Sequence, residues 1–326
     1  MDVGLAYHSF PVLSDFPPAF LTTVAVCLGL AMGSFANVVI YRLPRGQSLS
    51  RPGSTCPSCG APIRFYDNVP VLSWLLLGGR SRCCKTKINA RYPLVELLGG
   101  LLASAIVETQ VLTLPPDTPL PKAAALFALL FLTGLGLVAA AFIDLEYMLL
   151  PDRLTLGGAL LGLASVPLRP EYTLFDAALG AGFGFLLVWL PFDVGYRLLR
   201  GLPGMGLGDA KVTLLAGTWF GYPAALFTLM AGAVQGTVFA LVLFIVKGRI
   251  DEPAAVVAER EEAERALAEA TPEQRSALEA QIAEDPVLAA PEPGLGKARL
   301  AFGPFLVLGF LEYMLLGPAI IDWLLV

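Results

Sequence analysis

A helix needs roughly 20 apolar residues to cross the hydrocarbon core of a bilayer. This chain carries such runs at about 17–41, 93–112, 122–143, 154–168, 174–192, 210–222, 223–246 and 300–325, two of them short. With 56% hydrophobic and 15% charged residues in 326, the apolar excess has to face lipid rather than fill a water-soluble core. The expected fold is all-α and polytopic, with about eight transmembrane helices. The run before the Gly221-Tyr222-Pro223 turn is barely long enough to cross and is expected to be tilted or a half-span.

Basic residues set the direction. Nine Lys and Arg lie between Arg42 and Arg91 against one acid, Asp67, so the first loop is expected on the cytoplasmic side. Counting crossings from there puts the N- and C-termini outside and the loops 145–153, 193–208 and 247–299 inside. No Lys or Arg precedes Arg42, unlike the basic start of a secretory signal peptide, so the first run is read as a retained helix. The expected location is a bacterial inner membrane.

Two carboxylates then stand out, because an ionisable group is costly in the membrane and marks a functional site by default. Asp144 closes the third apolar run in Phe142-Ile143-Asp144-Leu145-Glu146. Asp209 opens the sixth in Gly206-Leu207-Gly208-Asp209-Ala210-Lys211. Both fall at cytoplasmic helix ends. Asp152, after Pro151, has an ordinary use as the N-cap of the next helix, and Glu146 lies two residues from Asp144, which points it away on a helix. Asp209 is also an acceptable cap, so the glycine-aspartate motif is moderately informative by itself. The glycines at 201, 204, 206 and 208 allow close backbone approach. They lack the G-x-x-x-x-G-K-[ST] pattern of a phosphate loop, and no nucleic-acid or nucleotide partner is expected.

Two carboxyls sharing a proton can hydrolyse a peptide, one ionised and drawing a proton from water, the other protonated and polarising the scissile carbonyl. Serine and cysteine triads need a histidine base, and the single histidine, His8, lies in the external N-terminal segment. His-ligated zinc hydrolysis fails for the same reason.

The 42–92 loop carries Cys56-Pro57-Ser58-Cys59 and, two dozen residues on, Cys83-Cys84. A second C-x-x-C would complete a tetrahedral zinc site, but Ser81 stands where the third ligand belongs. Two readings remain: zinc held by Cys56, Cys59, Cys83 and Cys84, with adjacent ligands straining the geometry, or free and redox-active thiols. Elsewhere, Gly29 and Gly33 read as a close-packing stripe, Asn37 as an amide bonded to a neighbouring helix, and Cys27 as a core residue. Glu96 is equally readable as a helix-start acid and as a functional group.

Between 250 and 297 the composition turns to Ala, Glu and Arg, with twelve acids and four bases. This is read as a soluble helical insertion, with a helix boundary at Thr271-Pro272-Glu273-Gln274. The expected division is a first segment and helix (1–41), a cysteine loop (42–92), a transmembrane core (93–249), the polar insertion (250–297) and a last helix (298–326).

Taken together, Gly33-Ser34-Phe35-Ala36-Asn37 through Pro44, the cysteine loop, Arg91-Tyr92-Pro93-Leu94-Val95-Glu96-Leu97, Asp144 with Leu150-Pro151-Asp152, and Gly206-x-Gly208-Asp209-x-Lys211 resemble the bacterial type IV prepilin peptidases. The resemblance runs through most of 33–98 and 140–222. It implies an aspartic peptidase of the GxGD type that cleaves the leader of type IV prepilins or secretion pseudopilins, with Asp144 and Asp209 as its catalytic pair. It also implies N-methylation of the new N-terminus by S-adenosylmethionine. The family's four-cysteine motif falls on Cys56, Cys59, Ser81 and Cys84, so its third position departs here, and the 250–297 insertion lies outside the pattern. Two other classes compete: a proton-coupled membrane transporter, which would want its acids near the midplane, and a non-catalytic assembly scaffold, which would tolerate loss of either aspartate.

Overall fold

The computed structural model describes residues 10–56, 58–200, 206–248, 253–271, 275, 278, 279, 282 and 300–325. His8, Gly201, Gly204 and most of the 272–299 stretch, including Pro272-Glu273-Gln274, lie outside them. The described chain is helical. Its only extended pairings are three isolated bridges, two of them in the cysteine loop. Among the described residues, five helices are long and apolar enough to cross a membrane: Pro18–Arg42, Arg91–Val111, Leu120–Tyr147, Leu174–Leu199 and Leu207–Lys247. Shorter apolar helices span Asp152–Ser165 and the start of Gly303–Leu325.

In chain order, α1 is Pro18–Arg42, α2 Leu72–Leu76, α3 Arg91–Ile106 and α4 Leu120–Tyr147. They are followed by α5 Asp152–Ser165, α6 Leu174–Val188, α7 Tyr196–Arg200, α8 Leu207–Lys247, α9 Ala254–Glu269 and α10 Gly303–Leu325. The chain divides into two compact units. One comprises 1–139, 160–173 and 314–326, the other 140–159 and 174–313.

In the first unit, α1 packs on α3 through glycines. A Cβ on Gly29 would stand 2.4 Å from the Gly99 carbonyl oxygen, and one on Gly33 2.7 Å from the Glu96 Cα, so the backbones touch where the sequence has no side chains. The Asn37 amide donates to the Tyr92 carbonyl at 3.0 Å and ties the C-terminal part of α1 to the first turn of α3. Glu96 accepts the Val71 backbone N–H at 2.7 Å, so its carboxylate anchors the turn before α2 to α3.

In the second unit, α6 lies against α8 by the same device. Built Cβ atoms on Gly180 and Gly184 would meet the carbonyl oxygens of Gly217 and Thr213 at 2.1 Å each, and the Thr213 hydroxyl donates to the Gly184 carbonyl at 2.7 Å. The 41 residues of α8 would make a rod about 60 Å long, twice a bilayer core. The rod is broken. Phe220 and Gly221 leave helical geometry, Gly221 at φ +77°, and Pro223 follows, so the two apolar runs separate at this turn.

Candidate active site and metal centre

Asp144 and Asp209 both belong to the second unit and are nearly enclosed, 5% and 9% exposed. Asp144 sits in the last turn of α4, which ends as Met148 turns to φ +51°. Asp209 is the third residue of α8, after Gly206 at its N-cap. Ala140, Val212 and Leu306 form one buried cluster with Leu150. Ala140 is one turn from Asp144, Val212 one turn from Asp209 and Leu306 one turn from Gly303. The packing thereby draws together the three helix ends that carry Asp144, Asp209 and Gly303.

Leu150 explains one glycine of the motif. A Cβ on Gly208 would come within 2.9 Å of the Leu150 Cβ, so a larger residue there would push the head of α8 away. Gly303, at the head of α10, donates its backbone N–H to Asp144 Oδ2 at 3.0 Å. Sequence reasoning missed this residue. The Gly303-Pro304 pair opening the last apolar run was the available signal, since proline favours the first helical turn. Asp152 is the first residue of α5, and its carboxylate accepts from the Lys211 ammonium at 2.5 Å, linking α5 to the motif helix.

The four loop cysteines gather in the first unit, with their sulfurs all within 4.8 Å of one another. Cys56 and Cys84 are 3.6 Å apart, Cys59 and Cys83 3.4 Å, and Cys83 and Cys84 3.9 Å. A tetrahedron of thiolates at about 2.3 Å from zinc has edges of about 3.8 Å, so the donor set fits that metal. Two tight turns present the thiols. Cys56 N bonds the Ala61 carbonyl, Ser81 N the Thr86 carbonyl, and bridges pair Thr55 with Pro62 and Arg80 with Lys87. Ser81 points its hydroxyl inward, 3.2 Å from the Cys84 sulfur, and accepts the Thr86 N–H at 3.1 Å. Hydrogen bonds from Ser81 and then Thr86 hold the Cys84 thiol down to about 5, the thiolate form a metal binds. Asp67 takes a two-pronged bond from Arg82 Nε, 2.9 Å to each oxygen, and this clamp holds the turn leading into Cys83.

An all-helical, multi-pass membrane protein with two buried carboxyls at converging helix ends is the class these features define. The bacterial peptidase A24 N-terminal domain matches residues 27–109, and the type IV leader peptidase family matches 131–241. The chain belongs to the type IV leader peptidase family. It is 35% identical to a prepilin leader peptidase/N-methyltransferase of Myxococcus xanthus, over 93% of this chain and 92% of the relative. Enzymes of the same name from Aeromonas salmonicida (37%) and Pseudomonas aeruginosa (34%) each align over 71% of this chain, and over 84% and 83% of their own lengths. No solved structure matches.

Proposed function

We propose that this protein cleaves the leader peptide from type IV prepilins, and from secretion pseudopilins, at the cytoplasmic face of the inner membrane, and methylates the N-terminus so exposed. The observation that carries the reading is the convergence, on the Ala140, Leu150, Val212 and Leu306 cluster, of the helix ends that bear Asp144 and Asp209, two nearly enclosed carboxyls. In hydrolysis the ionised carboxylate takes a proton from water as its oxygen bonds the scissile carbonyl carbon. The protonated partner donates to the carbonyl oxygen. Collapse of the tetrahedral adduct breaks the C–N bond, and the leaving amine takes the proton.

The methyl donor the family implies is S-adenosylmethionine, which supplies an electrophilic methyl group when bound. The hollow beside α1 formed by Thr22, Thr23, Val26, Cys27 and Glu108 offers one carboxylate and no aromatic ring to stack an adenine, and does not fit that donor. The cysteine cluster is assigned to a structural zinc held by Cys56, Cys59, Cys83 and Cys84. Four thiolate ligands leave no open position for catalysis, so the metal would stiffen the 42–92 loop.

Eight crossings follow if the broken α8 counts twice and α5 and α10 each cross the lipid bilayer, with both termini outside. The five-part division at 41, 92, 249 and 297 is retained in this reading. Incubation of the purified enzyme with a prepilin, followed by product mass, tests both activities. Loss of the leader mass, then a gain of one methyl group when S-adenosylmethionine is added, is the expected result. An unchanged prepilin would reject the peptidase reading.

A further inference from the structure

We infer that Gly303 is a positioning residue for Asp144: the last helix supplies a backbone N–H to the catalytic carboxylate, and only glycine at its head leaves room for that carboxylate. The inference rests on the peptidase reading. It extends the site beyond residues 27–109 and 131–241, the segments that match the family.

The first-turn N–H groups of a helix have no partner within the helix. In α10, Phe305 and Leu306 direct theirs back to the Phe302 carbonyl, and Pro304 has none. The Gly303 N–H goes to Asp144 Oδ2 at 3.0 Å. The bond satisfies an orphan donor and fixes one oxygen of an enclosed carboxylate, which leaves the orientation of the other set by the plane of the group. A Cβ on residue 303 would stand 2.7 Å from that same Oδ2 and 2.9 Å from Leu150 Cδ2. Asp144 would have to rotate away.

The N–H is delivered by a helix whose register is fixed along its length. Cβ positions on Gly232 and Gly309 would lie 3.0 Å from Leu306 Cδ2 and from the Thr228 carbonyl oxygen, so α8 and α10 are in close contact at both. Further along, the Gln235 amide donates to both oxygens of Glu312, at 2.9 and 2.8 Å. A polar pair of this kind inside a membrane bundle holds two helices in one alignment. Sliding α10 by one residue would break this pair and move the Gly303 N–H off Asp144.

A purely steric account competes, in which glycine serves only to admit Leu150. The experiment compares full-length wild type, Gly303→Ala, Leu150→Ala and the double variant, reading kcat and KM for prepilin cleavage and the thermal midpoint in detergent. Misplacement of a catalytic group by about 1 Å can cost on the order of 100-fold in rate. Gly303→Ala is expected to lose about that factor in kcat, with KM within about twofold and the midpoint within about 3 °C. The double variant should stay as impaired as Gly303→Ala, because removing Leu150 leaves the clash with Oδ2. Recovery to the level of Leu150→Ala alone would overturn the inference in favour of packing. So would a Gly303→Ala enzyme within about twofold of wild type, or one whose midpoint collapses. If wild type itself fails to cleave in this assay, the peptidase reading falls instead.

Discussion

Lys211, two residues past Asp209, reaches across to Asp152 at the head of α5, its ammonium 2.5 Å from the carboxylate. The pair fastens the motif helix to its neighbour beside the site, yet the Asp152 side chain is 59% exposed. Ion pairs so open to water contribute about 0–1 kcal/mol. Asp152→Asn is therefore expected to keep most cleavage activity. Asp144→Asn and Asp209→Asn should each abolish it. Product mass after incubation with a prepilin checks all three, and full activity in either dyad variant would remove that residue from the mechanism.

The metal-site assignment requires about one zinc per chain in protein prepared without chelator. Cys83→Ser should lower that stoichiometry sharply, whereas Ser81→Ala should keep it, because Ser81 is bonded to the Cys84 sulfur from beside the four-sulfur cluster. Elemental analysis of both variants decides between Cys83 and Ser81. Cys56→Ser is expected to impair methylation or stability before it stops cleavage.

The Asp67–Arg82 clamp adds a pH dependence to the same loop. Arg82 holds the Asp67 carboxyl below its ordinary range. A carboxylate depressed in the folded state stabilises it above the unfolded value, near pH 4, and that contribution is lost as pH falls through the lower folded value. The clamp is therefore fully in place at neutral pH, where it should slow zinc release to a chelator. Asp67→Asn should show faster release already at neutral pH. Equal release rates for the variant and wild type at pH 7 would remove the clamp from the account.

Two glycines of α6 should answer differently to the same change. A Cβ on Gly180 would lie 2.1 Å from the Gly217 carbonyl oxygen, while one on Gly182 would meet nothing within 4 Å. Gly180→Ala should cost about 1–3 kcal/mol by forcing α6 from α8. Gly182→Ala should be neutral or stabilising by up to about 1 kcal/mol, through helix propensity. Thermal unfolding in one detergent, with the two variants side by side, makes the comparison. Equal midpoints would argue against the glycine contact.

The polar stretch contributes α9, Ala254–Glu269, well apart in sequence from both aspartates. Replacing residues 253–293 by a flexible linker is expected to leave cleavage of a purified substrate largely intact. A stable but inactive deletion would mean that this stretch shapes the site. Normal activity in vitro with a defect in cells would point to a docking role.

Much of the chemistry was legible because a membrane makes local signals severe. A carboxylate at the end of an apolar run is conspicuous at Asp144 and Asp209, and the lack of a usable histidine narrows what such a pair can do. Gly29 and Gly33 were readable as a contact stripe for a similar reason, since lipid gives helices little reason to associate except close packing. Sequence alone could not choose the partner. Glu96 was divided between structure and function until its bond to the Val71 N–H placed it as an anchor. Asp152 read as a cap, which is a local interaction. Its bond to Lys211 spans 59 positions and has no local signature. Gly303 lies 159 residues from Asp144, and its role depends on how α8 and α10 align. The sequence by itself determined that the chain is helical and apolar enough to cross a membrane several times, and it narrowed which residue types could catalyse. Tertiary packing decided which groups meet, because a hydrogen bond of about 3 Å is set by the placement of whole helices rather than by the residues beside it in the chain.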